Sequence, residues 1–133
     1  MAKFSELGVS TDIVVGKGID IEELFGEKIL IEKTIIKPTN FPGKNSSGLR
    51  MQMQVCLAEW NEDGSFKIDD NREPSGQRRS CFTGSDVLIG AIQNAEMKLP
   101  SINVERKSKG LEEISLYPME TTIVKVGKCF QFT

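Results

Sequence analysis

Residues 49–60, LRMQMQVCLAEW, alternate between apolar and polar side chains with a period of two. The odd positions from 49 to 57 are all apolar, whereas the even positions carry arginine, two glutamines, cysteine and alanine. Successive side chains of a strand point to opposite faces, so this pattern predicts a strand with one buried and one solvated face. Such a strand needs neighbouring strands and a core on one side only, which makes a β-sheet the centre of the fold.

Further strand patterns flank this segment. KILIEKTIIK (28–37) is rich in β-branched residues, and the turn-forming stretch 38–48 follows it. FKID (66–69) can return as a hairpin partner after the turn at Asn61–Ser65, and RRSCFT (78–83) resembles a strand again. METTIVKVGKCFQF (119–132) predicts two closing strands about its glycine.

One amphipathic helix is predicted after the third long strand. Its apolar positions recur at steps of three and four residues, at Leu88, Ala91, Ile92, Ala95 and Leu99. Pro100 is expected to end it, and residues 102–118 are interpreted as short strand pieces around a polar loop. Near the start, IDIEELF (19–25) predicts one or two helical turns with Asp20 as the N-cap.

The order of these elements is three strands, one helix and two strands. It predicts a mainly β fold, an OB-like five-stranded barrel with one helix between strands 3 and 4. The alternative is an open α+β sheet with the helix packed across one face. We expect a single domain over residues 1–133, with an acidic N-terminal lead-in at 1–27 and the OB-like barrel at 28–133.

Several classes of protein are disfavoured by composition. The 133 residues include no histidine, which removes the usual general base and the commonest metal ligand. The three cysteines lie far apart and predict neither a disulfide framework nor a metal site. We therefore expect no enzyme, no cofactor and no bound metal. The chain has no apolar run of ~18 residues and no signal-like start, so we expect a cytoplasmic protein without a membrane span.

The turn Thr83-Gly84-Ser85 leads directly from a strand into the helix. A serine in such a turn resembles a hydrolase nucleophile, but the second glycine and the histidine partner of that motif are missing. Thr83 and Asp86 have the spacing of a capping box, and Ser85 is itself a good N-cap. We interpret the turn as structural capping, with anion binding by the helix N-terminus as the alternative.

Charge is distributed unevenly along the chain. Residues 28–55 hold five basic and one acidic side chain, for a net charge of +4. Residues 1–27 and residues 56–77 each hold two basic and six acidic side chains, for −4 in each case. The most positive stretch is also the most strand-like, which predicts a local surface for a polyanion.

A positive sheet face with nearby aromatic side chains is the arrangement that holds single-stranded nucleic acid. Arginine and lysine would neutralise phosphates, Trp60 and Phe41 would stack on bases, and glutamines would hydrogen-bond base edges or phosphates. Phe82, by contrast, is expected in the core with Phe130 and Phe132. The candidate nucleic-acid-binding residues are Lys33, Lys37, Phe41, Lys44, Arg50, Gln52, Gln54, Trp60 and Arg78.

The stretch CFTGSDVLIGAI, followed by a Leu-Pro turn and a closing apolar strand pair, resembles a known family. It is similar to OB-fold single-stranded-DNA-binding-like proteins of bacteriophages and integrative mobile elements. The likeness covers residues 28–133, and its most specific part is the strand-FTGS-helix segment at 82–92. It implies an OB barrel that protects or handles single-stranded DNA in replication or recombination, with self-association common among such proteins.

The expected function is therefore binding of single-stranded nucleic acid with little sequence preference, and DNA is favoured over RNA as the ligand. The first alternative is a protein-interaction or inhibitor module that contacts its partner through the acidic segments 1–27 and 56–77. The second is a metal-dependent nuclease built from the acidic residues Asp63, Asp69, Asp70 and Glu73.

Overall fold

The computed structural model of the chain describes residues 13–39 and 47–133. These residues form six strands, one α-helix and one 3-10 helix. In chain order the elements are β1 (Lys17–Gly18), the 3-10 helix Ile21–Leu24, β2 (Lys28–Pro38), β3 (Leu49–Ala58), β4 (Gly76–Thr83), α1 (Asp86–Ser108), β5 (Met119–Val126) and β6 (Cys129–Phe132).

The strands build one mixed sheet in the spatial order β1-β4-β3-β2-β5-β6. β1 runs parallel to β4, and every other pairing is antiparallel. The mainly β fold is confirmed, and α1 does lie between the third and the fourth long strand. Across the described ranges the sheet ends at β1 on one side and at β6 on the other, so it is not closed into a barrel.

The alternating segment forms β3, as its period predicts, and β3 lies between β2 and β4. Met51, Met53 and Val55 are fully buried on the side of the sheet that faces the core. They pack in one cluster with Leu88 and Ile92 of α1, so the helix covers this side. The other side of β3 is called the outer face below.

The first half of β2 is buried on both sides. Ile29, Leu30 and Ile31 are consecutive and fully inaccessible to solvent. The pairing of β2 with β3 shifts between Ile31 and Lys33, so Glu32 sits at a β-bulge. A bulge bends a strand and re-aims its side chains, and here it turns a carboxylate toward the outer face.

Helix α1 is longer than the sequence predicts. It continues through Pro100 to Ser108, so the expectation that Pro100 ends it is wrong. The expectation of short strand pieces within residues 102–118 is wrong as well, because the helix occupies the first part of this segment. The second half is supported from outside, because Asn103 exchanges two hydrogen bonds with the main chain of Ile114 (3.1 and 2.8 Å). Arg106 adds a bond from Nε to the carbonyl oxygen of Glu112 at 2.7 Å. These contacts offset the single backbone bond that a proline removes.

Residues 13–27 are packed against the sheet. The helical turn expected at 19–25 is confirmed as the 3-10 helix, with Asp20 at its N-cap and Leu24 buried in the core. Before it, β1 extends the sheet beside β4, and the amide of Ile19 donates to the carbonyl oxygen of Ser80 at 2.9 Å. Among the described residues no helix has both the length and the apolar character needed to cross a membrane.

Candidate nucleic-acid interface

The outer face is arranged in rows of side chains that lie opposite each other across β2, β3 and β4. Directly paired residues of antiparallel strands project to the same side of a sheet, so the register defines the rows. From one end to the other, the rows are Lys37 and Arg50; Ile35, Gln52 and Phe82; Lys33, Gln54 and Ser80; and Leu30, Cys56 and Arg78.

The first two rows form what we call the open end of the outer face, defined by Lys37, Arg50, Gln52 and Phe82. The guanidinium carbon of Arg50 lies 3.8 Å from the centroid of the Phe82 ring, a cation–π contact. Phe82 is nevertheless 46% exposed, and Arg50 and Lys37 are exposed as well. Two cations and a flat ring therefore meet in solvent at the open end.

Gln52 lies between these groups and the next row. Its side-chain amide donates from Nε2 to the hydroxyl of Ser80 at 3.0 Å, and the side chain is half-buried. The bond fixes the orientation of the amide beside the Phe82 ring. An amide held in this way is suited to hydrogen-bond a polar ligand that stacks on the ring.

The last two rows form the closed end, defined by Glu32, Lys33, Gln54 and Arg78. Arg78 and Glu32 make a bidentate ion pair, Nε to Oε1 and Nη2 to Oε2, each at 2.9 Å. Their side chains are only 20% and 15% exposed. The hydrogen bonds to Glu32 raise the pKa of the Arg78 guanidinium. Its charge is thus compensated inside the protein, unlike that of Arg50.

Both polar atoms of the Gln54 side chain are hydrogen-bonded at the closed end. Its Nε2 donates to Glu32 at 2.9 Å, and its Oε1 accepts from the backbone amide of Val15 at 2.9 Å. Lys33 donates from Nζ to the carbonyl oxygen of Ile13 at 2.8 Å. The N-terminal segment therefore crosses this end of the face, and Gln54 is only 7% exposed.

Trp60 lies away from the open end. It follows β3 at the end opposite Arg50, and the eight residue steps from Arg50 to Ala58 already span about 26 Å of strand. Lys28 Nζ sits 4.1 Å from the centroid of the indole ring, and the Phe66 ring meets it edge-on at 6.5 Å. Lys28 also pairs with Glu120 at 2.9 Å. The structure does not bring Trp60 together with Arg50. Phe41 and Lys44 lie outside the described residues.

Phe82 is the residue that the sequence interpretation misplaced. It was expected in the core, but it is exposed on the outer face, because its neighbours Cys81 and Thr83 occupy the buried positions of β4. Residues 79–83, RSCFT, show no apolar–polar alternation that could have indicated this; the pairing of Phe82 with Gln52 of β3 sets its face. The expectation for Phe130 and Phe132 is confirmed, since both pack against the core.

Side-chain oxygens cap the turn before α1, as expected. Ser85 is the N-cap and its hydroxyl accepts from the amide of Leu88 at 3.3 Å, while the Thr83 hydroxyl accepts from the amide of Ser85 at 3.1 Å. Asp86 does not complete a capping box with Thr83. Its carboxylate instead accepts from the hydroxyl of Ser47 at 2.7 Å and from the Ser47 amide. These bonds, the hydroxyl first, hold the pKa of Asp86 below its ordinary value.

Two acidic residues of the 56–77 segment, Asp63 and Asp69, stabilise turns. Asp63 accepts from the hydroxyl and the amide of Ser65, and Asp69 accepts from the amides of Asn71 and Glu73. The bond from the Ser65 hydroxyl is the main reason that the pKa of Asp63 is lowered. Within residues 13–39 and 47–133, no group of three or more acidic or cysteine side chains could hold a metal ion.

A second acidic group borders the open end on the β4 side. Asp20, Glu22 and Glu23 line a cavity of ≈ 530 Å³ together with Ser80 and Phe82. A polyanion on the outer face would be repelled from this border and attracted to Arg50 and Lys37. The electrostatics therefore favour positions for its phosphates on the β2 and β3 side of the Phe82 ring.

Comparisons of this chain with protein-family models, with curated proteins and with solved structures found no match, so its function has to be inferred from its own residues.

Proposed function

We propose that the protein binds single-stranded nucleic acid on the outer face of its sheet, with little sequence preference. The observation that carries the proposal is the exposed stack of Arg50 on Phe82, with Lys37 paired to Arg50 across the strands. A base can stack on the Phe82 ring, while the two cations neutralise adjacent phosphates. Stacking of this kind contributes about 1–3 kcal/mol per base and tolerates any base.

The distribution of compensated charge supports the same location. Arg78 is neutralised by Glu32, and Lys28 by Glu120, so neither offers an unopposed charge to a polyanion. Arg50 and Lys37 are exposed, and for these two the structure records no ion pair with any described residue. A nucleic acid whose phosphates contact Arg50 and Lys37 would release its counterions at the open end, and this release favours binding.

The strand order supports an OB-like fold as part of this proposal. OB folds are partly open five-stranded Greek-key barrels that bind oligonucleotides on strands 2 and 3 and on the adjacent loops. In that scheme β2, β3, β4, β5 and β6 are strands 1 to 5, and the outer face of β3 and β4 is the binding face. The order β4-β3-β2-β5-β6 is that of such a barrel opened between its third and fifth strands.

The first experiment measures binding of fluorescently labelled oligo-dT by anisotropy at several salt concentrations. We expect binding at low salt that weakens steeply as salt rises, and much weaker binding of duplex DNA of equal length. Oligo-rU is the comparison for RNA, since the resemblance implies DNA. Trp60 quenching is unsuitable as the main signal, because Trp60 lies far from Arg50 along β3.

A charge-matched pair of variants tests the location. Arg50→Ala removes the cation on Phe82 and should weaken oligo-dT binding and reduce its salt dependence by about one released counterion. Lys98→Ala removes an exposed cation on α1, away from the outer face, and should leave binding unchanged. Equal losses in the two variants, or no binding of any oligonucleotide at low salt, would refute the proposal.

A further inference from the structure

Residues 13–18, which we call the N-terminal strap, cross the closed end of the outer face. The carbonyl oxygen of Ile13 accepts from Lys33 on β2, and the amide of Val15 donates to Gln54 on β3. The strap then reaches β4, where Lys17 and Gly18 pair with Arg79 and Ser80. Its main chain therefore spans all three strands that form the outer face.

The first half of the strap is held by polar contacts, with little apolar burial. Ile13 is 69% exposed and Val15 is 50% exposed, so these two side chains bury little apolar surface. The main chain of these residues is bound through the side chains of Lys33 and Gln54. Segments with few buried apolar contacts open at low free-energy cost, so this half can leave the sheet without unfolding the core.

The strap occupies groups that a nucleic acid on this face would use. Gln54 lies four residues from Arg50 along β3, about 13 Å away. Single strands engage OB-type faces over roughly 4–16 nucleotides, so a strand stacked on Phe82 extends to the Lys33 and Gln54 row. There it meets a lysine and an amide that are already bonded to peptide groups.

We infer that the N-terminal strap is an autoinhibitory segment that competes with single-stranded nucleic acid for Lys33 and Gln54. This inference rests on the proposed function and describes how nucleic-acid binding would be regulated. Binding displaces residues 13–16 and frees the Lys33 ammonium for a phosphate and the Gln54 oxygen for a ligand donor. Because the strap must leave first, the measured affinity equals the intrinsic affinity multiplied by the fraction of molecules in which the strap is released.

Gly16 offers a substitution that releases the strap without touching Lys33 or Gln54. Its backbone has a φ of +110°, and an added Cβ would collide with the main chain of Arg78. Gly16→Ala should therefore push the strap off β4. Gly18 is the matched control two residues later, because an added Cβ there meets no atom within 4 Å.

The experiment combines oligo-dT affinity with hydrogen exchange of the Val15 amide, followed by NMR. In the unaltered protein, saturating oligo-dT should accelerate Val15 exchange. Gly16→Ala should show fast Val15 exchange without ligand and bind oligo-dT about three- to tenfold more tightly, because two hydrogen bonds no longer compete. Gly18→Ala should match the unaltered protein in both measurements.

The outcomes separate this inference from the proposed function. If oligo-dT binds but leaves Val15 exchange unchanged or slower, the strap is not displaced and the inference fails, while the proposed function stands. It also fails if Gly16→Ala exposes Val15 without raising affinity. If Val15 exchange stays slow in Gly16→Ala, this variant does not release the strap. The inference then stands or fails on whether oligo-dT accelerates Val15 exchange in the unaltered protein. If neither the unaltered protein nor Gly16→Ala binds any oligonucleotide at low salt, the proposed function fails, and the inference fails with it.

Discussion

The two ends of the outer face are built from similar residues but differ in what their charges do. At the open end, Arg50 lies on an exposed ring, and Lys37 beside it is also exposed. At the closed end, Arg78 is locked to Glu32 and Lys33 is bonded to the strap. A basic residue on a sheet face is therefore directly available to an anion only where no carboxylate or main-chain group of the protein already binds it.

The physical origin of this difference is the β-bulge at Glu32. The register shift between Ile31 and Lys33 brings the carboxylate to the outer face, where it meets both Arg78 and Gln54. Lys37 and Arg50 lie beyond the bulge, in a regular part of the β2–β3 pairing. One extra residue in β2 thus separates the closed end, where the charges are paired within the protein, from the open end, where they are exposed.

The largest expected effect concerns the cysteines, since Cys56 is buried in the last row of the closed end. Burial raises the pKa of the Cys56 thiol and raises that of Cys81 to about 11, whereas Cys129 is exposed. Because the thiolate is the reactive form, Cys56 and Cys81 should react with a thiol reagent at pH 8 about a thousandfold or more slowly than Cys129. Stopped-flow labelling measures these rates. Fast labelling of Cys56 in the folded protein would show that the closed end is open.

The second effect is the stability of the closed end. Glu32→Ala leaves Arg78 and Gln54 without their shared acceptor, so the free energy of unfolding should fall by about 2–3 kcal/mol. Urea unfolding measures this loss. Glu113→Ala breaks the exposed pair with Lys107 and should change stability by about 0.5 kcal/mol or less. Equal losses in both variants would mean that the Arg78 pair is no stronger than a surface pair.

The third effect is the contribution of the aromatic ring at the open end. Phe82→Leu keeps an apolar side chain but removes the flat ring, and should weaken oligo-dT binding about tenfold, whereas Phe82→Trp should retain it. Phe66→Leu is the control, because this ring packs on Trp60 instead. Anisotropy titrations measure the affinities. An unchanged affinity for Phe82→Leu would show that bases do not stack at this position.

The smallest effect is the pH response of Asp86, which anchors Ser47 two residues before β3 begins. Since the folded pKa of Asp86 is lowered, its contribution to stability is present above the unfolded value of about 3.9 and is lost as pH falls through the folded value. Ser47→Ala should raise the pKa of Asp86 toward 3.9, measured by NMR titration of its carboxyl carbon. A titration curve identical in the two proteins would show that the Ser47 hydroxyl does not hold this carboxylate.

Local patterns predicted several of these elements because local physics determines them. The alternation at 49–60 predicts β3 and its methionine-rich core side, and Ser85 predicts the cap of α1. The same reasoning failed at Pro100, where contacts with residues 112 and 114 keep the helix intact. It also failed at Phe82, whose hydrophobicity suggested the core, whereas its pairing with Gln52 of β3 places the ring on the outer face.

The amino-acid order alone establishes a mainly β chain with one helix after its third long strand, because side-chain period and capping act over a few residues. Only the folded arrangement decides which cations are available to a ligand. The Arg78–Glu32 pair joins residues 46 positions apart, and the bond from Lys33 to Ile13 joins residues 20 positions apart. Whether a cation is paired or hydrogen-bonded within the protein depends on distances in space. Strand register and the bulge set these distances, and no local pattern in the sequence records them.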